Sequence, residues 1–385
     1  MVSIKTAKYR LQRQREALLQ KALTQKNKTE LLIECYSPRA VKELARLGTI
    51  THEYGNIPYL GIELEPKDAA ALVKGKYPGV LRLLKKIEAQ STFKIPGTAR
   101  SKSLNQWNLE NIGAYKAHEY GDGQGVSVGI IDTGVEYTHA EISGNFGKDK
   151  GYDFVKSDPD PMDKNGHGTH VAGIISGTTY GVAPGATLYA LRVLDENGSG
   201  KESNVIAAVD YAINKHMDVA NLSLGSNMAS SAFEEICYAA YEKGLILVAA
   251  AGNDGGEYPS YPAAFGEPVV AVAAVDRYNE HAYFSNTYIT NDVSAPGVSI
   301  TSSYLNGSHA TLDGTSMATP HVTGSIAISI PFFRHGSVDD LIDSTAQKIG
   351  DGDRETYGAG LIRADKMAEK LSSGGLLEKI LQMAW

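Results

Sequence analysis

The sequence predicts an α/β fold built on a doubly wound, mainly parallel sheet. The chain has 385 residues, of which 42% are hydrophobic and 21% charged, a composition typical of a globular protein with room for two domains. Short apolar runs recur along its C-terminal two thirds, as expected for strands that are buried on both faces. Helical stretches alternate with these runs, which is the order that a parallel sheet requires.

The predicted elements of this sheet domain follow in chain order. We expect strands at 126–131, 187–193, 219–223, 245–250 and 268–275. We expect helices near 168–176, 203–216, 231–243 and 317–329. In an open sheet of this kind, sites form where the carboxyl ends of the strands meet.

A different pattern precedes the sheet domain. Strands at 31–36, 49–54, 58–64 and 90–95 with helices at 38–47 and 66–74 give the order β-α-β-β-α-β. This is the order of a small α+β, ferredoxin-like domain. We therefore divide the chain into an N-terminal helical extension (1–28), the ferredoxin-like domain (29–102), the sheet domain (103–370) and a C-terminal tail (371–385). We expect the tail, a linker with a short amphipathic helix, to dock on the protein's own surface.

Charge and cysteine usage exclude several partners. The net charge is −7 and no basic patch is interleaved with aromatic residues, which argues against nucleic acid. Cys35 and Cys237 fall in different predicted domains, so we expect two buried thiols. No run of 18 apolar residues predicts a membrane span. Residues 1–28 lack the pattern of a secretory signal, which predicts a cytoplasmic protein, although a secreted chain without its leader would look the same.

Four segments carry polar side chains that suit acyl transfer. Ser316 lies among small residues before a helical run, and His167 lies between glycines before another. Asp132 ends the first predicted strand of the sheet domain, and Asn253 follows the strand at 245–250. A serine nucleophile needs an adjacent base, and the base needs an orienting carboxylate. Each residue alone would be read as a turn, cap or packing residue, but together they indicate a catalytic site.

The order of these motifs resembles the subtilisin-like serine proteases (subtilases). The resemblance rests on Asp132-Thr133-Gly134, His167-Gly168-Thr169-His170 and Gly314-Thr315-Ser316-Met317-Ala318, and it extends from about 104 to about 370. It implies a serine endopeptidase in which Asp132 orients the imidazole and His167 is the general base and then the acid. Ser316 is the implied nucleophile, and Asn253 with the backbone N–H of Ser316 forms the oxyanion hole. His170 matches a structural position.

The resemblance also implies a self-processing zymogen. The domain at 29–102 is similar to the propeptides of subtilases, which act as intramolecular inhibitors and chaperones. The connector from Phe93 to Ser103 contains Pro, Gly and Ser. We expect the enzyme to cut its own chain between about 97 and 104, with peptides and proteins as its substrates.

Two segments match the family's substrate-binding edges, which bind an extended peptide through backbone hydrogen bonds. They are Gly198-Ser199-Gly200 and Ser223-Leu224-Gly225. Glu202 stands where many relatives have an aromatic rim residue, which predicts a preference for basic or polar residues in a distal pocket. The primary pocket is expected to be surrounded by Ala250, Gly252 and 260–262.

The family resemblance limits the metals that we expect. No cofactor is needed for the chemistry. The link from Ile174 to Pro184 is too short for the calcium loop of many secreted subtilases, a feature shared with the proteinase K branch. Asp292 matches a carboxylate that binds a weaker cation in relatives, so a structural Ca²⁺ is possible there with carbonyls of 267–269. His167-x-x-His170 lacks the spacing of a zinc helix.

Two alternatives belong to other function classes. The glycines of 121–125 precede their strand, whereas a dinucleotide-binding fingerprint must follow one, which argues against an oxidoreductase. A pseudoprotease, or a stably inhibited propeptide complex that acts as a binding module, is the remaining alternative. No residue of the predicted triad is substituted, which disfavours a pseudoprotease.

Overall fold

The computed structural model describes residues 28–74, 76–77, 84–89, 92–94, 99–101, 106–332 and 338–372. The chain divides into two compact units. One contains Met1–Ser91 and Ala229–Ile236, and the other contains Thr92–Met228 and Cys237–Trp385. The N-terminal extension up to residue 27 and the tail beyond residue 372 lie outside the described residues. The domain boundaries that we inferred from the sequence stay predictions.

The first unit contains one antiparallel sheet with the strand order β2-β3-β1-β4. Its elements are β1 Thr29–Cys35, α1 Pro38–Leu44, β2 Gly48–Glu53, β3 Tyr59–Leu64, α2 Pro66–Val73 and β4 Leu84–Ala89. Both helices begin at a proline, which has no N–H to leave unsatisfied in the first turn. Apolar side chains of β1, β3 and both helices, among them Ile33, Ile62 and Leu72, form its buried core.

The prediction of one strand at 90–95 as the last strand of the first sheet is wrong. The fourth strand of the first sheet is Leu84–Ala89, and Thr92–Lys94 is a separate strand, β5, which pairs with a strand of the second unit. A run of extended residues shows that a strand forms, but it does not show which edge will supply the backbone hydrogen bonds.

The second unit contains a seven-stranded parallel sheet with the order β14-β13-β12-β11-β7-β9-β8. Its strands are β7 Ser127–Asp132, β8 Gly151–Asp153, β9 Thr187–Arg192, β11 Val219–Leu222, β12 Ile246–Ala250, β13 Val269–Val275 and β14 Asn291–Pro296. A smaller antiparallel sheet, β15-β16-β6, contains Ile300–Tyr304, Ser308–Asp313 and Ala99–Ser101. The remaining strands of this unit are β5 and β10 Ser199–Lys201.

The α-helices of the chain beyond the first two follow in order. They are α3 Trp107–Asn111, α4 Ala114–Ala117, α5 His167–Ser176, α6 Glu202–Asn214, α7 Ser231–Glu242, α8 Thr315–Ser329, α9 Val338–Thr345 and α10 Arg354–Tyr357. Residues 364–372 are also helical. Three short 3-10 helices lie at Ser143–Asn145, Ala263–Phe265 and Ile330–Phe332. Among the described residues, no helix is long and apolar enough to cross a membrane.

The doubly wound α/β fold is confirmed. All residues of β11 and β13 are buried, which explains why these strands read as continuous apolar runs. The strand order reverses between β7 and β11, which are neighbours in the sheet but are separated by β8 and β9 in the chain. A crevice at the carboxyl ends of strands on either side of such a reversal is where ligands bind in open α/β sheets.

Candidate active site

Asp132 and His167 form a buried pair at the carboxyl edge of the sheet. Asp132 is the last residue of β7, and His167 is the first residue of α5. Nδ1 of His167 lies 2.8 Å from Oδ1 and 3.0 Å from Oδ2 of Asp132. An ionised carboxylate only accepts, so Nδ1 carries the proton. Nε2, which has no hydrogen-bond partner among the described residues, is therefore the basic atom of the imidazole.

The loop before His167 is organised by the buried carboxylate of Asp163. Its Oδ1 accepts the N–H groups of Asn165 at 2.8 Å and Gly166 at 3.1 Å. Its Oδ2 accepts the N–H of Thr169 at 3.0 Å and the hydroxyl of Thr169 at 2.6 Å. Burial raises the pKa of Asp163, and these four donors oppose the rise. The carboxylate thus satisfies backbone donors at the start of α5, as a helix cap does.

Ser316 is the second residue of α8 and is fully buried. Gly314, before the helix, has a φ of 152°, a conformation that L side chains rarely adopt. The hydroxyl of Ser316 donates to the backbone carbonyl of Ser223 at 3.1 Å. The predicted nucleophile and the predicted base therefore each lie on the first turn of a helix, and α5 and α8 pack against each other.

Asn253 is held by the residue before Ser316. Its Oδ1 accepts the N–H of Thr315 at 2.9 Å and the hydroxyl of Thr315 at 2.7 Å. Because these two donors use the oxygen, Nδ2 is the atom of this carboxamide that is suited to donate to a substrate oxygen. The start of a helix also supplies backbone N–H donors, including that of Ser316.

Two further histidines near the site are fully buried. Burial lowers the pKa of His170 to about 3, and its Nε2 lies 3.1 Å from the carbonyl of Ala310. Burial likewise lowers the pKa of His321 to about 4, although its Nδ1 contact with the carbonyl of Met317 at 2.8 Å opposes the change. Both imidazoles are neutral at pH 7, and both contact backbone atoms, which suits a structural role.

The predicted edge at Gly198-Ser199-Gly200 is paired with a strand of the same chain. In β5, Phe93 lies opposite Gly200 and Lys94 lies opposite Ser199 in an antiparallel register. Phe93 is fully buried. On the small sheet, Ala99 lies opposite Asp313, three residues before Ser316. Two stretches of the predicted connector therefore flank residues 95–98, which lie outside the described residues.

The other predicted edge lies beside the predicted primary pocket. Ser223 and Leu224 follow β11 and are buried. Ser226 and Tyr261 exchange two backbone hydrogen bonds, of 3.1 and 2.8 Å. A Cβ at Gly225 would contact the hydroxyl of Ser260. The structure thus brings the edge at 223–225 together with the segment at 260–262.

The remaining predicted substrate residues are buried. Ala250 ends β12, and Gly252 has a φ of 106° and packs against the Asn286 carboxamide. Glu202 is the first residue of α6 and is fully buried. It therefore does not lie at an exposed rim in this structure, and the expected preference for basic or polar residues stays a prediction.

The predicted metal ligand, Asp292, is a mostly buried carboxylate at the start of β14. Burial raises its pKa to about 7, and the nearby carboxylates of Asp339 and Asp343 add to the rise. Its Oδ2 accepts the N–H of Ala271 at 2.7 Å. The described residues contain no group of three or more His, Cys, Asp or Glu side chains that could hold a metal ion. A cation at Asp292 would thus depend on this carboxylate with carbonyls and water.

The link that follows α5 is attached to Glu141. Oε2 accepts the N–H of Thr179 at 2.7 Å, and Oε1 accepts the hydroxyl of the same residue at 2.7 Å. The N–H of Thr178 donates to the backbone carbonyl of Glu141 at 2.9 Å. Hydrogen bonds between protein groups therefore hold this link in place.

The chemistry that suits this crevice is acyl transfer through a serine. The basic nitrogen, the hydroxyl, the carboxamide donor and the carboxylate beside the base come from α5, α8, the segment after β12 and β7. These four places lie far apart in sequence and meet near the point where the strand order reverses. Fold and site together define a serine hydrolase.

Comparison with known proteins identifies the family. The model of the subtilase family, Peptidase_S8, matches residues 123–360, and the chain belongs to this family. It is 36% identical to a thermostable alkaline protease of Halalkalibacterium halodurans over 90% of this chain and 94% of that protein. It is 37% identical to an alkaline protease of Alkalihalobacillus alcalophilus over 82% of this chain and 80% of that protein. It is 39% identical to subtilisin Savinase of Lederbergia lenta over 67% of this chain and 97% of that protein. The protein is a subtilisin-like serine endopeptidase.

Three residues of the site were missed by the sequence reasoning. Asp163 lies four residues before His167, and an acidic residue so close to a helix start is a signal for a cap. Asn221 interrupts the apolar strand β11, and a polar residue there signals a buried hydrogen-bond network. Thr323 gave no such signal, because threonine is ordinary in a helix of small residues.

Proposed function

We propose that this endopeptidase acts through Ser316 as nucleophile and His167 as base, and that it is made as a precursor that cuts itself. The observation that carries the catalytic part is the bond between Nδ1 of His167 and Asp132, because it leaves Nε2 to take a proton. Ser316 must turn its hydroxyl from the carbonyl of Ser223 towards Nε2 before it reacts.

In the first step, the Oγ of Ser316 bonds to the acyl carbon while its proton moves to Nε2 of His167. The negative charge on the carbonyl oxygen receives hydrogen bonds from Nδ2 of Asn253 and the N–H of Ser316. The bond to the leaving nitrogen then breaks, and His167 returns the proton to that nitrogen. Water, activated by the same imidazole, releases the acyl group. Asp132 stays ionised throughout and stabilises the imidazolium.

Labelling with a fluorophosphonate tests the catalytic assignment. We expect the wild-type chain to be labelled after processing and Ser316→Ala to remain unlabelled. A labelled Ser316→Ala protein would place the nucleophile elsewhere. An unlabelled but folded and processed wild type would favour the alternative, in which a stably bound propeptide makes the protein a binding module.

The pairing of β5 and β6 supports self-processing. Phe93 and Lys94 are paired along the predicted substrate edge, and Ala99 is paired three residues before the nucleophile. We propose that the scissile bond lies between Lys94 and Ala99, an interval that overlaps the range of about 97 to 104 expected from the sequence only at 97–99. We also propose that residues 29 to about 97 remain bound as an inhibitor after the cut.

Intact-mass measurement during incubation tests this proposal. The wild-type chain should give two fragments whose masses place the cut within 94–99, and Ser316→Ala should remain one chain. A cut in Ser316→Ala would indicate another protease, and a cut outside 94–99 would contradict the proposed site. Co-elution of the two fragments on gel filtration would support a propeptide that stays bound.

We propose that Asp292 binds a hard cation weakly and that the chemistry needs no cofactor. The buried carboxylate supports this, since a cation would offset its desolvation. Millimolar calcium should raise the unfolding temperature of the wild type by a few degrees, as expected for a ligand that binds only the folded state, and should not raise that of Asp292→Asn. An equal rise in both proteins would exclude Asp292. The compartment stays a prediction.

A further inference from the structure

Helix α8 contains a proline four residues after the nucleophile. In an α-helix the carbonyl of residue i accepts the N–H of residue i+4, and Pro320 has no N–H to give to Ser316. Every residue of α8 is buried, so bulk water does not reach this carbonyl. A buried carbonyl without its donor is destabilising. The residue whose backbone must be placed most accurately has therefore lost its helical hydrogen bond.

Ser223 supplies a donor from another element. Its hydroxyl lies 2.9 Å from the backbone carbonyl oxygen of Ser316 and donates to it. Its own backbone carbonyl accepts the hydroxyl of Ser316 at 3.1 Å. The two serines are thus joined by two hydrogen bonds, one to the main chain and one to the side chain of the nucleophile.

The direction of the Ser223 hydroxyl is fixed by Asn221. Nδ2 of Asn221 donates to Oγ of Ser223 at 2.8 Å, so the single proton of that hydroxyl points to Ser316. Oδ1 of Asn221 accepts the hydroxyl of Thr323 at 2.9 Å. All of these residues are fully buried. The chain of bonds starts on α8 at Thr323, passes through Asn221 and Ser223, and returns to α8 at Ser316, on the other side of Pro320.

The other carbonyls of α8 that accept side chains receive them from within the helix. The side chain lies four residues further along in each case: Thr319 at the carbonyl of Thr315, His321 at that of Met317, Ser325 at that of His321 and Ser329 at that of Ser325. The hydroxyl of Thr323 also lies 3.2 Å from the carbonyl of Thr319, but its one proton goes to the nearer acceptor, Oδ1 of Asn221 at 2.9 Å. Among the described side-chain bonds to this helix's carbonyls, only the one to Ser316 comes from another element. The α8 carbonyl that accepts a side chain from another element is therefore that of the proposed nucleophile.

We propose that Ser223 is a positioning residue for the nucleophile: its hydroxyl replaces the helical hydrogen bond that Pro320 removes, and Asn221 and Thr323 orient it. The inference rests on the proposed role of Ser316. It assigns to Ser223 a function beyond its backbone contact with substrate. Because the hydroxyl acts on the nucleophile's main chain, its loss should lower kcat while KM changes little.

A double-mutant cycle tests the proposal. Ser223→Ala should lower kcat about tenfold, since small displacements of a nucleophile are costly, with KM within about twofold. Pro320→Ala restores an N–H that can donate to the Ser316 carbonyl. In that background, Ser223→Ala should lower kcat by less than about threefold, a coupling expected between residues that serve one acceptor. Ser302→Ala, which removes another buried hydroxyl that donates to a helix carbonyl, is the matched control and should leave kcat within about twofold.

Equal losses from Ser223→Ala in both backgrounds, or a kcat that does not change, would overturn the proposal. All rates are normalised to the sites that a fluorophosphonate titrates, so misfolded protein does not count. If Ser223→Ala does not fold, Ser223→Cys, whose thiol is a weaker donor, takes its place in the cycle. A folded and processed wild type that cannot be titrated would contradict the proposed function, in favour of the stably inhibited binding module, and is thereby distinguished from a failure of the role of Ser223.

Discussion

The helices α5 and α8 carry the proposed base and the proposed nucleophile at their N-terminal ends, but these two residues are held there in different ways. At α5, the side chain of Asp163, from the loop that leads into the helix, accepts four hydrogen bonds at the helix start. At α8, the corresponding contacts come from far away in sequence. Asn253 accepts from Thr315, and Ser223 donates to the carbonyl of Ser316.

This difference indicates which parts of the chain each helix start depends on. The start of α5 is organised mainly by its own loop, although the N–H of Gly168 also donates to the hydroxyl of Thr133, beyond β7, at 3.0 Å. The start of α8 is organised only when β11 and β12 have brought Ser223 and Asn253 to the same edge of the sheet. The orientation of the His167 imidazole also depends on the sheet, because Asp132 ends β7. The start of α5 thus depends mainly on residues nearby in sequence, whereas the position of Ser316 depends on the assembled sheet.

The largest expected effect comes from removing the proposed nucleophile on α8 or the proposed base on α5. Ser316→Ala and His167→Ala should each lower kcat on the order of 10⁶-fold, which is the loss known for the equivalent changes in subtilisin, a member of the same family. The double variant should be no worse than either single variant, because the two groups act as one unit. Active-site-titrated kinetics on a peptide substrate measure this. Additive losses would show that the two residues act separately.

Two substitutions of Asn253 distinguish its contact with the start of α8 from its proposed role as an oxyanion donor. Asn253→Asp keeps an oxygen that can accept from Thr315 but loses the N–H donor. We expect kcat to fall about 10²- to 10³-fold, again the size known for subtilisin, with an unchanged unfolding midpoint. Asn253→Ala should lower kcat by a similar factor and also lower the midpoint. If Asn253→Asp destabilises as much as Asn253→Ala, the contact with Thr315 is not a cap.

Asp163→Ala tests the local organisation of α5. Four donors lose their acceptor, so we expect the free energy of unfolding to fall by about 3 kcal/mol, with a lower kcat because His167 follows directly. Urea unfolding and kinetics measure the two effects. Asp276→Ala is the control, because this partly buried carboxylate also accepts two backbone N–H groups but does not contact a catalytic helix start. Similar losses in both variants would remove the special role of Asp163.

The smallest expected effect is the acid sensitivity of α8. His321 is buried with a pKa of about 4, below its ordinary value of 6.5, so the unfolded chain binds a proton more readily. Stability from the neutral imidazole is complete above pH 6.5 and is lost as the pH falls towards 4. The reason is burial, because a charged imidazole would be desolvated there, and its Nε2 would also face the Nδ2 donor of Asn108 at 2.8 Å. The loss at pH 4.5 should be about 2 kcal/mol.

Urea unfolding of His321→Gln at pH 7 and pH 4.5 checks this expectation. The glutamine carboxamide can still accept from Asn108 and does not titrate, so the variant should lose less stability between the two pH values than the wild type. His170 remains in both proteins and contributes equally. An unchanged difference between the two pH values would show that His321 is not a source of the acid sensitivity.

The sequence predicted most of the sheet because its strands and helices have clear apolar patterns. The strand predicted at 126–131 is β7 at Ser127–Asp132, and the helix predicted at 317–329 is α8 at Thr315–Ser329. The same pattern could not show that Thr92–Lys94 pairs with Ser199–Lys201, because strand pairing over long separations is not written in either segment. Nor could it show that Glu202 is fully buried, since an acidic residue at a helix start is usually exposed.

Taken alone, the sequence determined the family and most of the sheet domain's elements, and it predicted the catalytic residues Asp132, His167, Ser316 and Asn253, because side-chain chemistry and local spacing are properties of the chain. Tertiary structure decided which atoms of these residues face each other. Asn253 presents its oxygen to Thr315, Ser316 donates to Ser223, and the Ser223 hydroxyl lies where Pro320 leaves a carbonyl without a donor. Those contacts join residues far apart in sequence, so they exist only when the parallel strands place their carboxyl ends at one edge.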